Sequence, residues 1–388
     1  MRVCMVAYSF YESDNRVMRY AEALAQRGDQ VDAIALRRKG DKKKEILNGV
    51  TVYRIQEREL NETGKLDYLL RLLKFLFSSA WLLTKNHLTK RYALIHVHSV
   101  PDFEVFSAII PKILGAKVIL DVHDIVPEFF ASKFSKGETT WLFKALQAVE
   151  KYSAAFSDHV IISNHLWEKK ITDRSVSPEK CTTIINFPDQ NIFCKRETAS
   201  RHEQFTIMYP GTLNWHQGLD IAIRAVAKIR NSIPELRFFI FGDGPSRIGL
   251  MELVRQLGLE DIVVFRSPLP LREIAEQMAH ADVGIIPKRN DSFGGDAFST
   301  KTLEFMSLGV PIIVSRTRID SNYFDDSMVK FFEPENEDDL ADAILLLARD
   351  KALRDRFAEN GLRYAHENSW NENKQIYFNL VSSLIMSS

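Results

Sequence analysis

The 388-residue sequence contains no uncharged apolar run of about 18 residues, which is roughly what a membrane-spanning helix needs. We therefore predict no transmembrane helix. An excess of positive charge is also missing, because 51 Lys and Arg residues balance 51 Asp and Glu residues. Proteins that bind nucleic acid usually carry a basic excess, so the balance argues against a nucleic-acid partner.

Cysteine is scarce, and the three residues present are Cys4, Cys181 and Cys194. No two of them have the spacing of metal ligands, so we predict reduced thiols, no metal site and a cytoplasmic protein. The first apolar run, residues 3–8, is too short for a signal peptide and is typical of a β-strand.

The glycine fingerprint of dinucleotide-binding folds is absent after this first strand, where residues 9–15 read SFYESDN. This absence argues against a nicotinamide-dependent oxidoreductase. Asp14 stands where a helix N-cap belongs, with a direct ligand contact as the alternative. Arg16, in the first helical turn, has two open interpretations: contact with a phosphate or acceptor, or a surface position.

What the chain does contain is a short apolar run followed by a longer amphipathic stretch, repeated through both halves. Strands are predicted at 3–8, 31–36, 94–98, 118–122, 159–163 and 181–186, and again at 206–209, 237–241, 262–265, 283–286, 310–314 and 329–332. Helices are predicted between them, among others at 102–114 and 217–230. Such alternation indicates parallel sheets covered by helices on both faces.

We therefore predict an α/β protein of two Rossmann-like, doubly wound domains that face an interdomain cleft. The first domain is assigned to residues 1–195, with a C-terminal helix at about 371–388 that crosses back onto it. The second is assigned to 204–370, after a polar linker at 195–203. Ligands of such sheets bind at the carboxyl ends of the strands, so the residues that follow each strand are the candidates for chemistry.

Three strand ends carry candidates. His123 follows a first-domain strand and can hydrogen-bond a sugar hydroxyl, although a purely structural histidine is the alternative. In the second domain Gly211 and Thr212 precede a helix whose N-terminus suits an anion such as a diphosphate. Gly242 begins a second tight turn, which either forms one side of a nucleotide site or is an ordinary turn.

The most informative segment is 292–311, SFGGDAFSTKTLEFMSLGVP. Glu304 lies among apolar residues, and a buried carboxylate needs partners such as the two hydroxyls of a ribose. Lys301 lies at a helix N-terminus that is already positive, which suits an anion held there. The alternative is an ordinary amphipathic helix with a solvated lysine and a capped glutamate.

At these residues the chain resembles glycosyltransferase family 4, the retaining family of the GT-B architecture, over nearly its whole length. The family has an acidic residue, seven intervening residues and a glutamate, followed by a Gly-x-Pro strand entry. Asp296, Glu304, Gly309 and Pro311 match that pattern. The segments 14–17 and 299–306, and the region of Trp370, are similar to the subgroup of bacterial surface-polysaccharide transferases.

The resemblance implies a role for each matching residue. Glu304 would bind the ribose, Asp296 and His123 would bind the transferred sugar, and Gly211 and Thr212 would lie under the diphosphate. Asp296 departs from the glutamate that is usual at its position, which bears on sugar preference.

A second departure concerns the diphosphate. Thr212 and Gln217 stand where the family commonly has cationic residues that hold the phosphates. Lys301 is our candidate for the replacement, with Lys288 and Arg289 as weaker ones. His123, Asp296 and Lys301 are thus the candidate catalytic residues.

The reaction implied is transfer of a sugar from a nucleoside diphosphate to an acceptor hydroxyl with retained configuration and without metal or cofactor. UDP-sugars are expected ahead of GDP-sugars. The acceptor would be a sugar or a lipid-linked saccharide in bacterial surface glycan synthesis. A non-catalytic nucleotide-sugar-binding protein and a nucleotide-sugar 2-epimerase are the alternatives.

Residues 66–88 form a predicted helix with a broad apolar surface and a narrow polar stripe. Such a helix is either packed in a core or lies on a membrane. The flanking cations Lys85, Lys90 and Arg91 suit anionic headgroups. The segment 66–91 is therefore the candidate for contact with the inner face of the cell membrane.

Overall fold

The computed structural model describes residues 1–58, 65–134, 140–196, 204–233 and 235–386. The chain divides into two compact units, residues 1–186 with 374–388 and residues 187–373. The division falls at Asn186, earlier in the chain than the sequence-based boundary at 195. Most of the predicted linker, residues 197–203, lies outside the described residues.

The first unit contains one eight-stranded sheet. Its strands are β1 Arg2–Ala7, β2 Gln30–Arg37, β3 Lys44–Leu47, β4 Val50–Glu57, β5 Leu94–His98, β6 Lys117–Val122, β7 His159–Ile162 and β8 Cys181–Thr183. The order is β3-β4-β2-β1-β5-β6-β7-β8, and every pair is parallel except β3 with β4. Neither β3 nor β4 was predicted, because their half-buried positions lack the continuous apolar run of a central parallel strand.

Helices flank this sheet. They are α1 Asn15–Gln26, α2 Lys65–Lys90, α3 Ile109–Ile113, α4 Val126–Phe134, α5 Trp141–Phe156 and α6 His165–Thr172. The single helix predicted at 102–114 is instead a 3-10 run, Asp102–Ala108, followed by the short α3. Pro111 lies in the first turn of α3, where the amide hydrogen that proline lacks has no intrahelical partner.

The second unit contains a six-stranded sheet that is parallel throughout. Its strands are β9 Phe205–Pro210, β10 Leu236–Phe241, β11 Val263–Arg266, β12 Val283–Ile286, β13 Ile312–Ser315 and β14 Lys330–Phe332, in the order β11-β10-β9-β12-β13-β14. The helices are α7 Leu219–Ile229, α8 Arg247–Gln256, α9 Leu271–Ala279, α10 Thr300–Leu308, α11 Arg318–Tyr323, α12 Glu337–Arg349 and α13 Lys351–Glu367.

Each sheet reverses its strand order at one place, between β1 and β5 in the first unit and between β9 and β12 in the second. Ligands of open α/β sheets bind at such switch points, beyond the carboxyl ends of the strands. The loops after these strands are therefore where the fold presents a site.

The last helix, α14 Trp370–Met386, begins in the second unit, and its residues from 374 onward belong to the first. Tyr377 and Val381 are fully buried there. The Tyr377 hydroxyl lies 2.8 Å from Nδ1 of His96 on β5.

Helix α2 is buried along one side and exposed along the other. Leu72, Phe75 and Leu83 are buried, so one side of the helix packs on the unit. Phe77 and Trp81, by contrast, are 70% and 65% exposed. Within the described residues, no helix is both long and apolar enough to cross a membrane.

Candidate functional site

The loops after β9 and β10 pack so closely that two positions admit only glycine. Gly211 has φ +139°, and a Cβ there would lie 2.2 Å from Cε of Lys301. Gly242 has φ +154°, and a Cβ there would lie 1.8 Å from the Gly211 carbonyl oxygen. Glycine relieves both the backbone strain and the contact, which brings the two loops together under the N-terminus of α10.

A cavity of about 390 Å³ opens where these loops meet α10. Five of the residues singled out in the sequence line it, namely Gly211, Thr212, Gly242, Lys301 and Glu304. Its apolar wall is formed by Phe241, Pro268, Leu269, Ile274 and Met278. A largely apolar cavity with a few converging polar groups is typical of a small-molecule site.

Three charged residues, Lys301, Glu304 and Asp243, line this cavity. Lys301 and Glu304 are partly buried, and burial lowers the pKa of Lys301 and raises the pKa of Glu304. The Lys301 ammonium lies 5.7 Å from the centre of the Tyr209 ring. No carboxylate of the described residues lies within ion-pair distance of it, so its charge is available to a bound anion.

The two weaker cation candidates are committed to contacts inside the unit. Lys288 is buried, lies 2.8 Å from the Asp320 carboxylate and donates to the Ala297 carbonyl at 2.7 Å. Arg289 pairs with Asp220 at 2.7 Å and stacks over the Trp215 ring. These contacts favour Lys301 over both as the cation that a ligand would meet.

Asp296 does not line the cavity. The carboxylate is buried, and its Oδ1 accepts a hydrogen bond from Nε of Arg318 at 2.7 Å. Arg318 also donates to the Asp291 carbonyl, which ties together the glycine-containing loop that precedes α10. No sequence pattern indicated this partner, because Arg318 lies 22 residues away on α11.

The helix predicted at 217–230 begins only at Leu219, after a turn that contains His216. Residues Trp215–Gln217 form a 3-10 turn, and Gly218 then adopts φ +66° with its Cα packed against the Pro287 carbonyl. Burial lowers the pKa of His216, and the charges of Asp291 and Lys301 act on it as well. Sequence reasoning missed this histidine.

In the first unit, His123 stands just after β6 and is held by a buried network. Its Nε2 lies 3.2 Å from Oδ2 of Asp121 and 3.2 Å from Nδ1 of His98. Asp121 is fully buried and bound by Nε and Nη2 of Arg16 at 2.8 and 2.6 Å. The surface position considered for Arg16 is therefore wrong, because a buried carboxylate needs a buried cation.

The Asp121 carboxylate at the centre of this network is ionised. Burial alone would raise the pKa of Asp121, but the Arg16 guanidinium brings it well below the usual range. Burial lowers the pKa of His98 to about 3, so that ring is neutral. The N-cap assignment of Asp14 is confirmed, since its carboxylate accepts from the Val17 amide at 3.2 Å.

The ligand atoms of His96, His98 and Asp121 lie within 4.8 Å of one another, a spacing that a metal ion could use. Both Asp121 oxygens, however, already accept hydrogen bonds from Arg16. A divalent ion there would lie beside a guanidinium, which opposes binding.

Two known domain families match the chain. The glycosyl transferase 4-like domain matches residues 13–186, and the glycosyl transferases group 1 domain matches residues 192–364. Among curated relatives, the phosphatidylinositol N-acetylglucosaminyltransferase gpi3 subunit of Schizosaccharomyces pombe is 24% identical over 253 residues. That match covers 65% of this chain and 52% of the relative, so the chain spans about half the relative's length.

Solved structures share the fold across the whole chain. Sucrose-phosphate synthase from Thermosynechococcus elongatus has a TM-score of 0.82 at 18% identity and covers 100% of both chains. Anabaena HepE in complex with UDP has a TM-score of 0.71 at 17% identity, covering 98% of this chain and 100% of HepE. The chain therefore consists of a glycosyl transferase 4-like domain followed by a glycosyl transferases group 1 domain, and it has the GT-B fold of these structures.

Proposed function

We propose that the protein transfers a sugar from a UDP-sugar to an acceptor hydroxyl and retains the anomeric configuration. The observation that carries the proposal is the cavity beyond the carboxyl ends of β9 and β10, beside the N-terminus of α10. It brings together Lys301, Glu304 and the two glycine turns, which lie far apart in sequence. This set has the groups that a nucleoside diphosphate requires.

Each group has a partner in that ligand. The Glu304 carboxylate accepts the two ribose hydroxyls, which offsets the cost of its burial. The diphosphate lies over Gly211 and Thr212 at the N-terminus of α10, where backbone amides and the helix dipole favour an anion. Lys301 adds the positive charge that stabilises the leaving diphosphate as the glycosidic bond breaks.

The base packs against the apolar wall that includes Phe241 and Leu269. Uridine is the base we propose, and the UDP held by the structurally similar HepE supports it. His123 and Asp296 bind hydroxyls of the transferred sugar.

We further propose an acceptor that is a sugar or a lipid-linked saccharide of a bacterial surface glycan, reached at the inner face of the membrane. Support comes from the exposed side of α2, where Leu70, Phe77, Trp81 and Leu88 alternate with Lys74 and Lys85. The neighbouring α3 adds Ile113, which is 75% exposed. Apolar side chains flanked by lysines are typical of helices that lie on anionic membranes.

Calorimetric titration with UDP and GDP tests the donor site. We expect UDP to bind at micromolar strength, and Glu304→Ala and Lys301→Ala each to weaken it by about 1–3 kcal/mol, as for lost hydrogen bonds to charged groups. Lys351→Ala, an exposed lysine on α13, is the matched control and should leave affinity unchanged. No binding of either nucleotide by the folded protein would remove the proposal.

Incubation of a UDP-sugar with the protein separates the three functional alternatives. A transferase consumes the donor at a rate that depends on added acceptor and gives a retained product. A 2-epimerase converts the donor without any acceptor, and a non-catalytic binder leaves it unchanged. Either of those results would replace the transferase proposal.

Flotation with phosphatidylglycerol vesicles tests the membrane contact. We expect the protein to float with anionic vesicles at low salt and the double change Phe77→Ser with Trp81→Ser to abolish this. Ile46→Ser on β3, which also removes an exposed apolar side chain, should have no effect. Equal flotation of all three proteins would contradict the assigned surface.

A further inference from the structure

The Asp121 carboxylate lies at the end of β6 and is surrounded by hydrogen-bond donors. Oδ1 accepts from Nη2 of Arg16, and Oδ2 accepts from Nε of the same guanidinium. Oδ2 also lies 3.1 Å from Nδ1 of His98 and 3.2 Å from Nε2 of His123. The guanidinium is itself buried, so its positive charge keeps the carboxylate ionised away from water.

An ionised carboxylate only accepts hydrogen bonds, so each imidazole nitrogen that faces it carries a proton. For the neutral His98 ring, the proton is then on Nδ1. For His123 the proton is on Nε2, because a lone pair at that position would point at a negative oxygen. A neutral His123 ring with Nε2 protonated leaves Nδ1 as an acceptor.

The accessible part of His123 is consistent with a ligand at Nδ1. The side chain is 22% exposed, although Nε2 is held by the buried Asp121 carboxylate. Among the described residues, Nδ1 has no hydrogen-bond partner. The backbone after β6 is also fixed, because the Ser163 hydroxyl donates to the His123 carbonyl at 2.9 Å.

We propose that Asp121, held by Arg16, is a positioning residue that keeps His123 in the Nε2-protonated tautomer, so that Nδ1 accepts a hydrogen bond from a hydroxyl of the transferred sugar. The part that concerns the ligand rests on the proposed function. The tautomer itself is a property of the ligand-free protein. The two parts can therefore fail separately.

The competing arrangement places the His123 proton on Nδ1. In that case Nδ1–H of His98 donates to Nε2 of His123 across their 3.2 Å separation, and His123 becomes a donor to the ligand. The negative charge of Asp121 disfavours this arrangement, because Nε2 would then present a lone pair to it. The two arrangements give opposite tautomers and opposite hydrogen-bonding roles.

Long-range ¹⁵N–¹H correlation spectra of the histidine-labelled, ligand-free protein distinguish them directly. Comparison with the spectrum of His123→Asn assigns the His123 ring. We expect the Nε2–H tautomer for His123 and the Nδ1–H tautomer for His98. An Nδ1–H tautomer for His123 in the native protein would overturn the proposal.

A matched pair of variants tests the role of Nδ1. In His123→Asn the side-chain oxygen can replace Nδ1 as acceptor, whereas in His123→Gln the amide can replace Nε2–H as donor to Asp121. We expect kcat/KM for the donor to be about tenfold higher in His123→Asn than in His123→Gln, with UDP affinity equal in both. Equal or reversed kcat/KM values with intact UDP binding would overturn the role of Nδ1, whereas loss of UDP binding in the native protein would contradict the proposed function.

Asp121→Asn tests the positioning residue itself. An amide can accept from His123 or donate to it, so we expect both His123 tautomers in the spectrum and a lower kcat/KM at unchanged UDP affinity. If Asp121→Asn does not fold, the native spectrum and the Asn and Gln pair still decide the proposal. A folded Asp121→Asn with a single Nε2–H tautomer and native kcat/KM would overturn it.

Discussion

At the scale of single residues, the cavity depends on how Lys301 is placed. The side chain lies across Gly211 and over Tyr209, in the first turn of α10, where the helix dipole disfavours a cation. Burial adds to this cost and lowers the pKa of its ammonium below the ordinary 10.5. A residue kept in such a position is best explained by an anion that binds there.

The lowered pKa predicts an alkaline limit for UDP binding. The attraction between Lys301 and the diphosphate is present below that pKa and is lost as the pH rises through it. Calorimetry as a function of pH should therefore show UDP affinity falling before pH 10.5. Lys301→Met should bind more weakly and remove this dependence, and an unchanged dependence in that variant would contradict the assignment.

A second prediction at the scale of single residues concerns the substitution of Gly211. Alanine there must adopt φ +139° and displace the Lys301 side chain, so we expect Gly211→Ala to lose about 1–3 kcal/mol of folding stability. Its UDP affinity should also fall. Gly249→Ala is the control, because its Cβ would meet open space on α8, and alanine should gain up to about 1 kcal/mol there. Thermal unfolding and calorimetry give both readouts, and a stable, tightly binding Gly211→Ala would refute the argument.

At the scale of elements, α2 is joined to the 3-10 run before α3 by a buried carboxyl group. Glu104 accepts a hydrogen bond from the Ser79 hydroxyl of α2, and both residues are fully buried. Burial raises the pKa of Glu104 from 4.5 to about 8, so the folded unit holds a neutral carboxyl group near neutral pH.

This raised pKa predicts that stability changes with pH. Between about 4.5 and 8 the folded state binds a proton that the unfolded state has released, so the free energy of unfolding should fall as the pH rises through that window. Glu104→Gln should reduce this slope, because its neutral amide does not titrate. The exposed Glu57→Gln should keep the native slope. Denaturant unfolding from pH 5 to 8 measures it, and equal slopes in all three proteins would contradict the prediction.

At the scale of the whole molecule, the first unit is completed only by the end of the chain. Residues 374–388 cluster with residues 1–186. Tyr377 packs between Tyr20 and His96, with its ring centre 4.4 Å from that of Tyr20. The first unit therefore cannot complete its core until the C-terminal helix is present.

Two neighbouring residues of α14 test this dependence. We expect Tyr377→Ala to cost about 3–5 kcal/mol, as for other large buried side chains. Ile376→Ala, at a 43% exposed position one residue earlier, should change stability by no more than about 0.5 kcal/mol. Hydrogen exchange should show faster opening of β5 and α1 only in Tyr377→Ala. Similar values for the two variants would mean that the helix is dispensable.

Most of the central strands, and the cavity residues that directly follow strands, could be predicted from the sequence. Buried parallel strands form continuous apolar runs, and the residues after them are brought to the same edge of the sheet. Gly211 and Gly242 could be selected in this way, whereas Lys301 and Glu304 were selected from the charge and burial expected at their positions in the helix of segment 292–311. The edge strands β3 and β4, with their mixed exposure, could not.

What the sequence determined by itself was the fold class, the absence of a dinucleotide fingerprint and the residue types at the strand ends, because these depend on local patterns of polarity. Only the tertiary structure decided their partners. It paired Arg16 with Asp121 across 105 residues and Asp296 with Arg318 across 22. A buried charge is stable only beside an opposite charge, and the residue that supplies it can come from anywhere in the chain. A local sequence pattern therefore cannot identify that residue.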